Sequence, residues 1–308
     1  MLDSNKMAEQ KPKIIAIVGP TAGGKTSLSI EVARKFGGEI ISADSRQVYR
    51  HLNIGTGKVT KKEMGNIPHH LLDVREPTEV YTVAEFKCEA TQAIQEIKSR
   101  GRLPIIVGGT FFYLDSLRNR AFFAPVKPDL TFRKSLGKFT DEELFAKLKK
   151  ADPKRATNID KNNRRRLERA LEVVRELGVV PDLKATESPY DWLIIGLSVP
   201  KEELRENFKN RLIDWLDLGF EEEVGELIER GVSESRFAEF GFEYTLMLTF
   251  INKEITKEEL IEKFVQKNWQ YAKRQMTWLK RDGEINWFAP ENREAIFRRV
   301  DDFLNNKS

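Results

Sequence analysis

Residues 14–33 read IIAIVGPTAGGKTSLSIEVA, and this stretch decides the fold. Ile14, Ile15, Ala16, Ile17 and Val18 form a short apolar, β-branched run, the mark of a buried strand. Gly19, Pro20, Thr21, Ala22, Gly23, Gly24, Lys25 and Thr26 then fit the pattern G-x-x-x-x-G-K-[ST]. Leu28, Ile30, Val32 and Ala33 carry the chain on as a helix. Strand, glycine loop and helix are together the context that this pattern needs. Glycines let successive N–H groups turn toward one anion, and the helix N-terminus adds positive dipole. Lys25 supplies a point charge and Thr26 a hydroxyl for Mg²⁺. The stretch therefore predicts a bound diphosphate or polyphosphate, and leaves its owner open.

Strand and helix signals alternate on either side of it. Residues 39–44, EIISAD, read as a second buried strand ending on a carboxylate. Residues 82–100 read as a helix, with Phe86, Ala90, Ala93, Ile94 and Ile97 near helical spacing. Residues 103–107, LPIIV, are a third strand, followed by Gly108, Gly109 and Thr110. The alternation predicts an α/β fold: a P-loop-type parallel sheet core with flanking helices. Ligands in such sheets lie outside the carboxyl ends of the strands, so residues 19–26, 44–47 and 108–110 should converge on one crevice.

From residue 122 to 189 strand signals fade and charged helical patterns take over, which predicts a helical insertion. Thr140 with Glu143 forms a capping box there, and residues 162–177 form a helix with Leu167, Leu171 and Val174 on one face. Trp192 restores a strand, and helices dominate after Leu197. The expected organisation is a frayed tail over residues 1–12, a discontinuous core of 13–121 and 190–308, and the insertion of 122–189.

At 308 residues with 40% hydrophobic and 32% charged content, the chain suits a soluble protein with a real core. No apolar run approaches the ~18 residues of a membrane span. The polar start of the chain lacks a signal-peptide pattern. One cysteine, Cys88, rules out an intramolecular disulfide, fits a reducing cytoplasm, and reads as core or semi-buried filler. His69 and His70 read as structural, because no ligand set accompanies them, and His51 as a surface residue.

The net charge of +4 says little by itself; its placement says more. Lys161, Arg164, Arg165, Arg166 and Arg169 form one cluster. Lys273, Arg274, Lys280 and Arg281 form another, interleaved with Trp269, Tyr271 and Trp278. Basic residues among aromatics suit a phosphodiester backbone with bases to stack on. Two solvated helix faces over aromatic core residues would read the same way.

The strand at residues 105–107 ends in Gly-Gly-Thr rather than in the acid that holds Mg²⁺ in many ATP-using enzymes of this loop class. The blocks ISADSRQVY (41–49), NIGTGK (53–58), IPHHLLDV (67–74), PIIVGGTFFYLDSL (104–117), RRRLERALEV (164–173) and AKRQMTWLKR (272–281) follow the phosphate loop in order. Together they closely resemble the bacterial-type tRNA dimethylallyltransferases, the tRNA isopentenyltransferase family, over residues 14–281. The resemblance implies transfer of a dimethylallyl group from its diphosphate to the exocyclic amine of the adenosine 3′ of the anticodon. It makes dimethylallyl diphosphate the co-substrate, Mg²⁺ the ion, the tRNA anticodon stem-loop the partner, and the protein a monomer.

By the same resemblance Asp44 is the base. Lys25, Thr26, the Gly23–Gly24 backbone and Arg211 clamp the diphosphate. Asp44, Ser45, Arg46, Gln47 and Thr110 line the acceptor channel. Arg165, Arg166 and Arg169 grip tRNA from the insertion, and Lys273, Arg274 and Gln275 touch it from a late helix. The segment AEFGFEY (238–244) departs from the family's R-x-x-G-Y-[RK]-[EQ], with Ala238, Phe242 and Glu243 at expected RNA-contact positions. Asn207 stands where an arginine is common. Weaker or altered RNA binding is the expectation. A prenyltransferase acting on free adenine nucleotides, a small-molecule kinase and a non-catalytic RNA-binding module are the rival readings.

Overall fold

A computed structural model describes residues 11–121, 124–182 and 185–307. The tail expected over residues 1–12 lies, through residue 10, outside these residues, as does Phe122, the expected start of the insertion. The strands are β1 (Lys13–Val18), β2 (Gly38–Ser42), β3 (His69–His70), β4 (Leu103–Val107), β5 (Asp191–Leu197) and β6 (Ile285–Phe288). The helices are α1 (Lys25–Phe36), α2 (Lys61–Met64), α3 (Val83–Ser99), α4 (Phe111–Leu117), α5 (Leu130–Leu136), α6 (Asp141–Ala151), α7 (Pro153–Thr157) and α8 (Arg164–Leu177). They continue as α9 (Lys201–Asp217), α10 (Phe220–Glu229), α11 (Glu234–Phe240), α12 (Phe242–Ile251), α13 (Lys257–Leu279) and α14 (Arg293–Leu304). None is long and apolar enough to cross a membrane, among the described residues.

The chain divides into two compact units. One comprises the chain up to Arg118 and from Glu187 onward; the other is Asn119–Thr186. The first is built on a six-stranded sheet in the order β3-β2-β4-β1-β5-β6, with every pairing parallel. A parallel sheet covered on both faces needs strands that are apolar throughout. Alternation then sorts them. Ile14, Ala16, Val18, Ile41, Ile106 and Ile194 pack with α3, α4 and helices α9 to α13. Ile15, Ile17, Ile40, Ile105, Leu193 and Ile195 pack with α1 and α14. The second unit has its own core of Leu136, Leu144, Leu148, Ala156, Leu167, Ala170 and Leu171. The capping box read at Thr140 and Glu143 is formed there.

The short strands β3 and β6 at the two sheet edges, and helices α11 and α14, are additions to the sequence reading. Cys88 corrects it: the side chain is exposed. It lies two residues beyond Phe86, on the far side of α3 from the stripe that Phe86, Ala90, Ala93, Ile94 and Ile97 bury. His51 is half-buried rather than on the surface. His70 Nε2 donates to Glu39 Oε2 at 2.8 Å, and His69 Nδ1 to the Ile67 carbonyl at 2.9 Å, so both serve the β3 edge.

The carboxyl ends of β2 and β4 are zipped together. The Ala43 N–H donates to the Val107 carbonyl at 2.7 Å, and the Thr110 N–H to the Ala43 carbonyl at 3.2 Å. A Cβ on Gly108 would lie 2.1 Å from the Ala43 carbonyl oxygen. This close approach explains why glycine, not an acid, follows β4. Gly108→Ala is therefore expected to destabilise the protein by roughly 1–3 kcal/mol, the usual cost of overpacking. A thermal melt of the variant checks this.

Candidate active site

The phosphate loop joins β1 to α1. Gly24 caps the helix at φ 81°, in the left-handed region that glycine enters without strain. The Gly23 N–H donates to the Pro20 carbonyl at 3.2 Å and tightens the curl. Lys25 Nζ donates to the Gly19 and Pro20 carbonyls at 3.1 and 2.7 Å, which holds the ammonium over the loop. Thr26 is exposed in the first turn of α1.

Distant helices secure the outer arm of the loop. The Thr21 N–H donates to Gln275 Oε1 at 2.9 Å, and Gln275 Nε2 donates to the Gly109 carbonyl at 3.3 Å. One buried amide on α13 thus ties the loop after β1 to the loop after β4. From α9, Arg211 Nη1 donates to Thr21 Oγ1 at 3.1 Å and Asn207 Nδ2 to the Ala22 carbonyl at 3.3 Å. Asn207 is a support for the loop that the sequence reading missed. Burial, then the neighbouring Arg211 guanidinium, lowers the Lys25 pKa to about 8, with Asp44 opposing. Burial also lowers the Arg211 pKa, and Glu243 opposes that shift. Two half-buried cations beside the N-terminus of α1 suit a multiply charged anion.

Asp44 follows β2. Its Oδ1 accepts from the backbone N–H groups of Arg46 at 2.9 Å and Gln47 at 3.4 Å. Both bonds fall on Oδ1, so Oδ2 remains able to accept a proton. The Ser45 N–H donates to Thr110 Oγ1 at 3.1 Å, and Thr110 Oγ1 donates to Ser45 Oγ at 3.3 Å. Gln47 accepts from Ser42 Oγ at 3.2 Å and donates to the carbonyls of Thr56 and Gly57 at 3.3 and 3.2 Å.

That last segment has an anchor which no local pattern announces. Glu223 accepts the N–H groups of Asn53, Ile54 and Gly55 at 2.8, 2.6 and 3.0 Å, and the Tyr244 hydroxyl at 2.9 Å. A Cβ on Gly55 would strike the Phe220 ring at 2.2 Å, so glycine is required there. Lys58 closes the far end, donating to the Tyr49 carbonyl at 2.7 Å and Asp73 Oδ1 at 2.6 Å. The fold thus gathers Lys25, Thr26, Asp44, Ser45, Arg46, Gln47, Thr110 and Arg211 at one end of the sheet.

A model of the IPP transferase family matches residues 47–282. The chain belongs to the IPP transferase family. The tRNA dimethylallyltransferase of Shouchella clausii is 40% identical over 97% of this chain and 98% of its own. That of Halalkalibacterium halodurans is 38% identical, over 90% and 91%. Among solved structures, the full-length tRNA isopentenylpyrophosphate transferase of Bacillus halodurans superposes with a TM-score of 0.72 at 35% identity, covering 96% of this chain and 98% of that one. A eukaryotic dimethylallyltransferase acting on tRNA gives a TM-score of 0.82 at 30% identity, covering 96% and 80%.

The other expected contact residues are distributed unevenly. In the second unit, Arg165 and Arg166 are exposed on α8. Arg169 is tied inward, to Glu172 at 2.6 Å and to the carbonyls of Ala124 and Val126 at 3.3 and 2.7 Å. On α13 Lys273 and Arg274 are exposed, whereas Gln275 is buried between the two loops. Glu243, read as a negative charge toward RNA, turns inward instead and pairs with Arg46.

Proposed function

We propose that the protein transfers a dimethylallyl group from dimethylallyl diphosphate to the exocyclic amine of the tRNA adenosine 3′ of the anticodon, and that the residues gathered at the sheet end perform it. The observation that carries this reading is the neighbourhood of Lys25, Arg211 and Asp44. Lys25 is held over the phosphate loop by the Gly19 and Pro20 carbonyls, Arg211 reaches the same loop from α9 at Thr21 Oγ1, 3.1 Å away, and the Asp44 carboxylate is near enough to oppose the lowering of the Lys25 pKa.

In the transfer the bond from the isoprenoid C1 to the diphosphate oxygen breaks and its electron pair leaves with the diphosphate. A bond from the adenine N6 to C1 forms. The adenine amine is a poor nucleophile, because its lone pair is delocalised into the ring. Asp44 accepts the proton as the bond forms. Lys25, the loop N–H groups and Arg211 receive the charge that develops on the leaving diphosphate. Ser45, Arg46, Gln47 and Thr110 line the path of the acceptor, which must be flipped from its loop to arrive there. Arg165, Arg166, Lys273 and Arg274 supply exposed cations for RNA phosphates.

The donor set suits Mg²⁺. Among the described residues no cluster of three or more His, Cys, Asp or Glu could hold a metal. Thr26 offers a hydroxyl on the phosphate loop. Mg²⁺ binds with one or two protein oxygens, substrate phosphates and water, so Thr26 would hold it. The ion would neutralise charge on the diphosphate. We read the protein as a cytoplasmic monomer. The lone, exposed Cys88 is at home in a reducing compartment.

Because the Lys25 pKa lies at about 8, the ammonium is present below that pH and is lost as pH rises through it. kcat/KM for the donor is expected to fall above pH about 8. Stability moves the other way: a lysine whose pKa is lowered on folding destabilises while charged, so deprotonation relieves the strain. A pH profile of kcat/KM, run beside thermal melts, separates the two. The assignment as a whole is tested by release of diphosphate in equal number with prenylated adenosine in an anticodon stem-loop.

A further inference from the structure

Glu243 lies in the first turn of α12 with its side chain 7% exposed, and its Oε2 accepts from Arg46 Nη1 at 2.6 Å. The guanidinium is confined on other sides. A Cβ on Gly241, at φ 127°, would lie 2.4 Å from Arg46 Cζ, so the backbone there leaves room for the guanidinium only as glycine. The Tyr271 ring centre is 5.7 Å from the same group. Arg46 is two residues from Asp44, its backbone N–H bonds that carboxylate, and its guanidinium senses the Asp44 charge.

A buried ion pair is weak as a source of stability, because desolvation offsets its attraction. What this pair does supply is direction. Without Glu243 the guanidinium has Asp44 as a neighbouring carboxylate. An arginine paired with Asp44 would stabilise its ionised form and weaken it as a proton acceptor.

Resting on the transfer reading above, we infer that Glu243 is a positioning residue: it holds Arg46 away from Asp44, so that Asp44 stays free to take the adenine proton. Glu243 acts through Arg46 and not by touching substrate. The negative charge at this position is thus consumed inside the protein and does not repel RNA.

The test is a double-mutant cycle of Glu243→Gln and Arg46→Met, read as kcat for transfer to an anticodon stem-loop and as KM for the donor. Glu243→Gln is expected to lower kcat about tenfold, within the range of coupling between contacting residues, with little change in donor KM. In the Arg46→Met background the same change should leave kcat within about twofold, because no arginine remains to be misdirected. An equal fall in both backgrounds, or no fall in either, overturns the inference. If Glu243→Gln does not fold, Glu243→Asp keeps the charge on a shorter arm. It should give a smaller loss that again vanishes with Arg46→Met, and a loss that persists there counts against the inference. A wild-type protein that prenylates no RNA overturns the transfer reading and this inference with it.

Discussion

Asp44→Asn is expected to leave the donor bound and the transfer nearly abolished. The substitution is isosteric. Its amide oxygen can still accept from the Arg46 and Gln47 N–H groups that Asp44 Oδ1 satisfies, so the turn after β2 keeps its shape. What is lost is the proton acceptor. A positioned base contributes about 10²–10⁴-fold, and kcat should fall by that much. KM for dimethylallyl diphosphate should hardly move, because the residues proposed to grip the diphosphate lie on the phosphate loop, α1 and α9. Single-turnover transfer and donor binding measured on the same preparation check both halves. If the Asp44→Asn variant stays active within a few-fold, the carboxylate is only a turn residue.

Lys25→Ala acts on the other reactant. The ammonium bridges the Gly19 and Pro20 carbonyls at 3.1 and 2.7 Å, so its removal both loosens the loop and deletes a charge. The leaving diphosphate gains negative charge as the C1–O bond breaks, so in the proposed role Lys25 would stabilise the transition state more than the ground state. Loss of one such donor costs about 10²–10³-fold in kcat. Here donor KM should rise as well, because the diphosphate is already charged when it binds. RNA binding should survive, since Lys273, Arg274, Arg165 and Arg166 are untouched. Binding of a labelled stem-loop, compared with donor KM and kcat, resolves these effects. Loss of RNA binding with intact donor affinity would reverse the assignment of the two substrates.

The parts of the fold differ in how far the chain announces them locally. The run of residues 14–33 announces its own fold because one strand, one turn and one helix complete it locally. The strands β2, β4 and β5 are readable for the same reason: each is an apolar run bounded by turn or polar residues. The edges are not. β3 is two residues long and β6 four, too short for a period of two to register among helices. Cys88 misleads because its neighbours carry the buried stripe of α3 while it sits off that stripe.

The site is legible where it is local and opaque where it is not. Residues 19–26 and 44–47 lie on strand ends and can be placed. Gln275 reaches Thr21 across 254 residues, and Glu223 reaches Asn53 across 170. Neither has a local pattern, since a hydrogen bond between chain-distant groups is set by the packing of α9, α10 and α13 against the sheet. Glu243 shows the hazard of reading charge without direction. Its sign suggests repulsion of RNA, whereas its burial gives it to Arg46.

The central claim is that one site holds an isoprenoid diphosphate on the phosphate loop and an RNA adenine beside Asp44. Single-turnover transfer of labelled dimethylallyl from its diphosphate tests it most directly, with an anticodon stem-loop and free AMP offered separately. Label is expected on the exocyclic amine of the stem-loop adenosine and not on AMP. Label on AMP alone, or on neither while RNA still binds, would contradict it.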